Sequence, residues 1–181
     1  INVYTGDHTT PDPIFQNLNS FSPLNDYSVS ANLNGPIIPG RLTFYSSGRL
    51  NGSKGWLYGN QTFTMYGDTV FTDSNDNEIW DSDEQINESD YEGMNWYNAW
   101  SSQNKLTLRI SHLTKLRLNT IWNSGVSQGY DHDRQMAQDG RKRHFNTGQF
   151  SGLNLSHSFS AMSFIEINAS QYIHRNESYL Y

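Results

Sequence analysis

Apolar and polar residues alternate strictly in several runs separated by turn-forming residues, the period-two pattern of a strand with one dry and one wet face. Over 27–34, Tyr27, Val29, Ala31 and Leu33 fall on one face and Ser28, Ser30, Asn32 and Asn34 on the other. After the turn Gly35-Pro36-Ile37-Ile38-Pro39-Gly40, the run 41–50 sets Leu42, Phe44 and Leu50 against Arg41, Thr43, Tyr45 and Arg49, which predicts a hairpin. A second hairpin follows from 105–111, where Leu106, Leu108 and Ile110 oppose Lys105, Thr107, Arg109 and Ser111. Across His112-Leu113-Thr114 the pattern resumes with Leu116, Leu118 and Trp122 opposite Arg117 and Asn119. In the third, over 149–159, Leu153, Leu155 and Phe159 oppose Asn154, Ser156 and Ser158. After Ser160-Ala161, Ile165, Ile167, Ala169 and Ile173 oppose Glu166, Asn168, Ser170 and His174. Residues 1–5 read as the end of a further strand.

Turns inside the hairpins take about three to six residues, the usual range. The segments between hairpins (6–25, about 51–93 and about 123–147) are long, polar and rich in Gly, Asn and Asp. Strict alternation of short and long connections is the habit of transmembrane barrels, whose short turns lie on the periplasmic side and long loops outside. Tyr27, Trp96, Tyr97, Trp100, Trp122, Phe159, Phe164 and Tyr172 fall near the expected strand ends, where an interfacial girdle needs amphipathic rings. The expected fold is therefore all-β: an antiparallel up-and-down meander of about seven strands, forming part of a larger transmembrane barrel.

Composition agrees. The 181 residues are only 35% hydrophobic, with a mean hydropathy of -0.73, yet 14% aromatic, so the chain is built to fold. Its polar residues are mostly Asn, Ser, Thr, Gln and Gly, which favour strands and turns over helix. A net charge of -6 argues against a nucleic-acid partner. The absence of cysteine excludes disulfides, thiolate metal sites and thiol nucleophiles.

The run Asn32-Leu33-Asn34-Gly35-Pro36-Ile37, followed by Leu42-Thr43-Phe44-Tyr45-Ser46-Ser47-Gly48-Arg49, resembles the first barrel hairpin of TonB-dependent receptors that carry a carboxypeptidase-regulatory-like amino-terminal domain. Gly55-Trp56-Leu57-Tyr58-Gly59, Lys115-Leu116-Arg117-Leu118, Tyr130-Asp131-His132 with Asp139-Gly140, and Ser178-Tyr179-Leu180-Tyr181 resemble later landmarks of that family in order. The resemblance implies a barrel of roughly 22 strands with a plugged lumen. Residues 1–181 would be a fragment of it without the plug and the carboxy-terminal strands. It further implies an outer-membrane location, lipid bilayer and lipopolysaccharide as surroundings, the TonB complex as a partner through the missing plug, uptake of a small nutrient of undetermined class, and in some relatives a surface lipoprotein.

One segment has the oxygen spacing of a calcium loop: Asp73, Asn75, Asn77, Asp81 and Glu84 at positions 1, 3, 5, 9 and 12, with the Ile79 carbonyl at position 7. Glu78 stands where glycine normally permits the sharp turn, and the alternative is a solvated acidic loop. Arg141, Lys142 and Arg143, with His144, form a basic patch suited to lipopolysaccharide phosphates or an anionic ligand. Trp56, Tyr58 and Trp80 are candidate ligand-stacking aromatics of the outer loops. His132, between Asp131 and Asp133, is a weaker metal candidate. The sequons at Asn51, Asn60, Asn87, Asn154, Asn168 and Asn176 are what chance gives in a chain this rich in Asn, Ser and Thr. Nothing resembles a catalytic triad, a carboxylate pair or a phosphate-cradling loop, so no enzyme and no required cofactor are expected. Two rivals to the receptor remain: a soluble, secreted carbohydrate-binding β-sandwich, which must bury its apolar strand faces within the chain, and a porin without a plug.

Overall fold

A computed structural model describes residues 1–61 and 91–180. Seven strands form one antiparallel sheet: β1 (Asn2–Gly6), β2 (Asp26–Ile38), β3 (Leu42–Ser53), β6 (Trp96–Arg109), β7 (Thr114–Gln128), β8 (Arg143–Ser160) and β9 (Ser163–Tyr179). A separate two-stranded ribbon, β4 (Tyr58–Asn60) with β5 (Tyr91–Gly93), interrupts the connection from β3 to β6. Within the large sheet each inner strand pairs with the sheet strands that precede and follow it in the chain, so the sheet is an up-and-down meander. It is not closed: β1 and β9 each pair with one neighbour.

The three expected hairpins, β2–β3, β6–β7 and β8–β9, are present, and their short turns lie at one end of the sheet. The long connections, 7–25, 54–95 and 129–142, leave from the other end. At the first turn, Pro39-Gly40 occupies the central positions and Arg41 N–H donates to the Ile38 carbonyl at 3.0 Å. Gly40 has φ 73°, the conformation a type II turn needs at its second central residue. Pro36 fits within β2 because β1 pairs only with 26–30, leaving the outer side of this stretch an unpaired edge.

Directly opposed residues of an antiparallel pair point to the same face, so the register assigns both faces. One carries two wholly apolar rows near the short turns: Leu42, Leu108, Leu116, Leu155 and Ile167, then Phe44, Leu106, Leu118, Leu153 and Ala169. The next row, Ser46, Asn104, Thr120, Ser151 and Gln171, is polar, and Ser46 donates to Asn104 Oδ1 at 2.7 Å. Further toward the long connections come Trp122 and Ile173, each opposite Gln149, and then a mixed row of Val29, Leu50 and Trp100 that continues through Ser124 and Thr147 to Arg175. The other face is mainly polar, with Asn32, Arg49, Lys105, Arg117, Asn154 and Asn168 among its residues.

No second layer covers the apolar face among the described residues. Leu33 is 65% exposed and Ile167 52%, whereas the buried apolar residues are Leu18, Tyr58 and Met94, all in the long connections or their ribbon. The aromatic positions differ in part from expectation. The strands run longer than the alternation indicated, so Trp100, Trp122 and Tyr172 lie inside strands, and Tyr97 and Tyr172 point to the polar face. The rim at the long-connection end of the apolar face carries Tyr27 and Trp96, as expected, together with Phe145 and Tyr179, which stack at 4.7 Å.

Candidate functional site at the long-connection end

The packed part of the molecule sits where the long connections meet. Residues 129–142 turn through two short 3-10 segments, His132–Arg134 and Gln138–Gly140, the first capped by the Asp131 carboxylate accepting from Asp133 N–H. Gly140, next to a tight turn, delivers Arg141 into the interior, where it is 3% exposed. Its guanidinium donates to the carbonyls of Met94, Gly129 and Gln138 and to Gln138 Oε1. The planar fork of arginine suits such a convergence of carbonyls. Gln128, the last residue of β7, donates to the Gln138 and Arg141 carbonyls, both at 3.3 Å, and accepts from Trp96 Nε1 at 2.8 Å. Met94 N–H in turn donates to the Leu57 carbonyl at 2.7 Å. One arginine thus ties the end of β7, the start of β6 and the β4–β5 ribbon together.

Small residues make this packing close. A Cβ on Gly59 would lie 2.1 Å from Met94 Cε, and Gly55, with φ 78°, has the Asn95 carbonyl at 2.2 Å from the same position. Burial pushes the Tyr58 hydroxyl pKa up, and the charges of Asp7 and Asp26 push it further. Burial pulls Arg141 down, while Glu92 and Asp131 oppose that effect. Asp7 anchors the first long connection by accepting from Ser22 N–H at 2.6 Å and Asn25 Nδ2 at 3.0 Å.

Beside this knot the polar face forms a trough of about 470 Å³, deepened by Ala99 and Gly125 between Tyr97 and the side chains of His144, Asn146 and Asn176. Asn146 donates to Asn176 Oδ1 at 2.9 Å and lies 3.2 Å from His174 Nε2. Amides, an imidazole and a phenol ring give hydrogen bonds and one stacking surface. They do not supply a nucleophile paired with a base.

Trp56 is 47% exposed and meets Phe15 edge-on at 6.1 Å, so it stays available to a ligand. Tyr58 and Arg141 do not. Both were expected to contact an outer-loop ligand, but Tyr58 is buried and the guanidinium of Arg141 is occupied by carbonyls. The expected basic patch is divided by strand geometry: Arg141 points inward and Lys142 is exposed. Arg143 lies 5.7 Å over the Trp96 ring, and His144 faces the trough. The calcium loop Asp73, Asn75, Asn77, Ile79, Asp81 and Glu84, together with Trp80, lies outside the described residues. His132 Nδ1 sits 2.8 Å from the Tyr130 hydroxyl, and no group of three or more acidic or histidine residues gathers at metal distance among the described residues. Compared with known families, curated proteins and solved structures, the chain matches none. The site therefore has to be read from its own geometry.

Proposed function

We propose that this sheet is a segment of the wall of an outer-membrane transport barrel, of the TonB-dependent receptor kind, whose apolar face meets lipid and whose polar face lines a hydrated passage for a small nutrient. The observation that supports the reading is a single-layer sheet with one largely apolar and one polar face and, among the described residues, nothing folded over the apolar one. A soluble sandwich needs a second layer there. Transmembrane barrels leave that face to lipid, connect their strands by short turns on one side and long loops on the other, and place aromatic rings at the rims. Tyr27, Trp96, Phe145 and Tyr179 take such a rim position. Among the described residues β1 and β9 each leave one edge without a partner, and in this reading further strands close them, because open edges recruit other chains.

In this reading the Arg141 knot holds the outer loops as a fixed collar above the trough. The trough and Trp56 offer the polar and stacking contacts a nutrient meets on entry. The test uses the full polypeptide that carries this sheet, in phospholipid vesicles with bromine atoms at a defined acyl-chain depth, and variants retaining one tryptophan. Trp122, on the apolar face within β7, is expected to be quenched several-fold more than Trp56. Equal quenching of both would overturn the proposal.

A further inference from the structure

The chain carries net charge -6, but its charges are segregated. On the polar face near the short turns, Lys105 and Arg109 of β6 lie beside Lys115 and Arg117 of β7. Arg109 is directly opposite Lys115, and Arg117 is opposite Thr107, between Arg109 and Lys105. Like charges set directly across a ladder repel and destabilise it. An acid nearby would relieve this, and among the described residues none does so: no ion pair involves any of these four. The acid nearest in register is Glu166, opposite Ser156, which is itself opposite Lys115. That places it two strands away, about 10 Å at ordinary strand spacing. Its carboxylate accepts from Asn154 Nδ2, while Asn154 Oδ1 accepts from Arg117 Nη1 at 3.0 Å. The amide thereby orients Arg117 and leaves most of its donors free.

We propose that Lys105, Arg109, Lys115 and Arg117 form a binding site for a small multiply charged anion, with carboxylate or phosphate oxygens bridging the two strands. Two guanidinium forks supply bidentate donors and two ammonium groups supply point charges, the combination that recognises such oxygens. Rings of the same residues select anions in pores. The hydroxyls of Thr43 and Thr107, on the same face and directly paired, extend the donor set. This inference requires only that the polar face be wet, and it holds whether or not the sheet lines a membrane passage.

Isothermal titration of the full polypeptide, in detergent if it requires it, with citrate and separately with pyrophosphate distinguishes carboxylate from phosphate. At least one is expected to bind with a stoichiometry of one and to weaken steeply with added salt. Arg109→Gln with Lys115→Gln should weaken it at least tenfold. Arg175→Gln, on the other face of the sheet, should leave it unchanged. Lys105→Gln with Arg117→Lys provides a second pair should the first fail to fold, with the same expected loss. Absence of binding by both anions, or equal loss in Arg175→Gln, would overturn the site.

Discussion

Replacing Leu118 with arginine places a charge in the middle of an apolar row, between Leu106 on β6 and Leu153 on β8, on a face that no other described residue covers. If hydrocarbon covers that face, the substitution costs about 2–4 kcal/mol near the bilayer midplane. Asn119→Arg, one residue along, is the matched control. It projects to the wet face, opposite Lys105 and Gly152. There, like-charge repulsion with Lys105 costs only some tenths of a kcal/mol. The difference, about 2–3 kcal/mol, corresponds to roughly a 30- to 150-fold change in the folded-to-unfolded ratio, since about 1.4 kcal/mol is tenfold. Reversible urea unfolding of the full polypeptide in vesicles, followed by tryptophan fluorescence, measures it. A sheet covered by a second protein layer would also be destabilised by Leu118→Arg but would fold without vesicles, so the same titration is run with and without lipid. Equal effects of the two variants, or full folding of the wild type in lipid-free buffer, would refute the reasoning.

Arg141→Ala removes the shared donor of three loop carbonyls and leaves them buried, at about 1–3 kcal/mol for such unsatisfied groups. Hydrogen exchange is expected to rise around 94–96 and 129–140 while the β2–β3 hairpin is unchanged, and Arg141→Lys should rescue little because an ammonium cannot match the fork. Gly40→Ala should cost about 1 kcal/mol from its positive φ alone, since no atom lies within 4 Å of the added Cβ; a loss several times larger in urea titration would contradict this. Tyr58, whose pKa is raised in the fold, contributes stability that is complete below its ordinary value near 10 and is lost as pH rises through the folded pKa. Absorbance titration should show a phenol ionising above the ordinary tyrosine range, with loosening of the loop knot, and Tyr58→Phe should abolish that phase.

The sheet was legible because its information is local. A period-two pattern identifies a strand, its face and its hairpin partner without any knowledge of distant contacts, and Leu106, Leu108, Leu116 and Leu118 lie together as the alternation requires. The strand ends were harder to read. Residues 123–128 and 143–148 carry a single apolar side chain each, Val126 and Phe145, with no apolar alternation to mark them, yet they pair through to Ser127 and His144. The bulge between Ser158 and Ser160 likewise breaks the pattern that had placed Phe159 with Leu155. The knot was not legible. Gln128, Gln138 and Met94 carry no local signature, and a basic run such as Arg141-Lys142-Arg143 looks solvated until the carbonyls gathered around its first member are known. Only tertiary convergence of separate loops decides that an arginine is a clasp and not a ligand contact.

The polar row of Ser46, Asn104, Thr120, Ser151 and Gln171 interrupts the apolar face and constrains what covers it. Unpaired hydroxyls and amides are costly away from water. Here Ser46 donates to Asn104 Oδ1, and Asn104 Nδ2 lies 3.4 Å from Ser102 Oγ, so part of the row satisfies itself within the sheet. A covering medium then has to replace fewer hydrogen bonds than the sequence suggests, while the two rows beside the short turns offer it nothing but hydrocarbon. Specific partners for the remaining Thr120, Ser151 and Gln171 would have to come from a second protein layer fitted to that line. A fluid apolar cover would leave those three unpaired at a cost for each, so a lipid-facing sheet has to keep this row within reach of water or headgroups, while Leu106, Leu108, Leu118 and Ile167 stand open beside it.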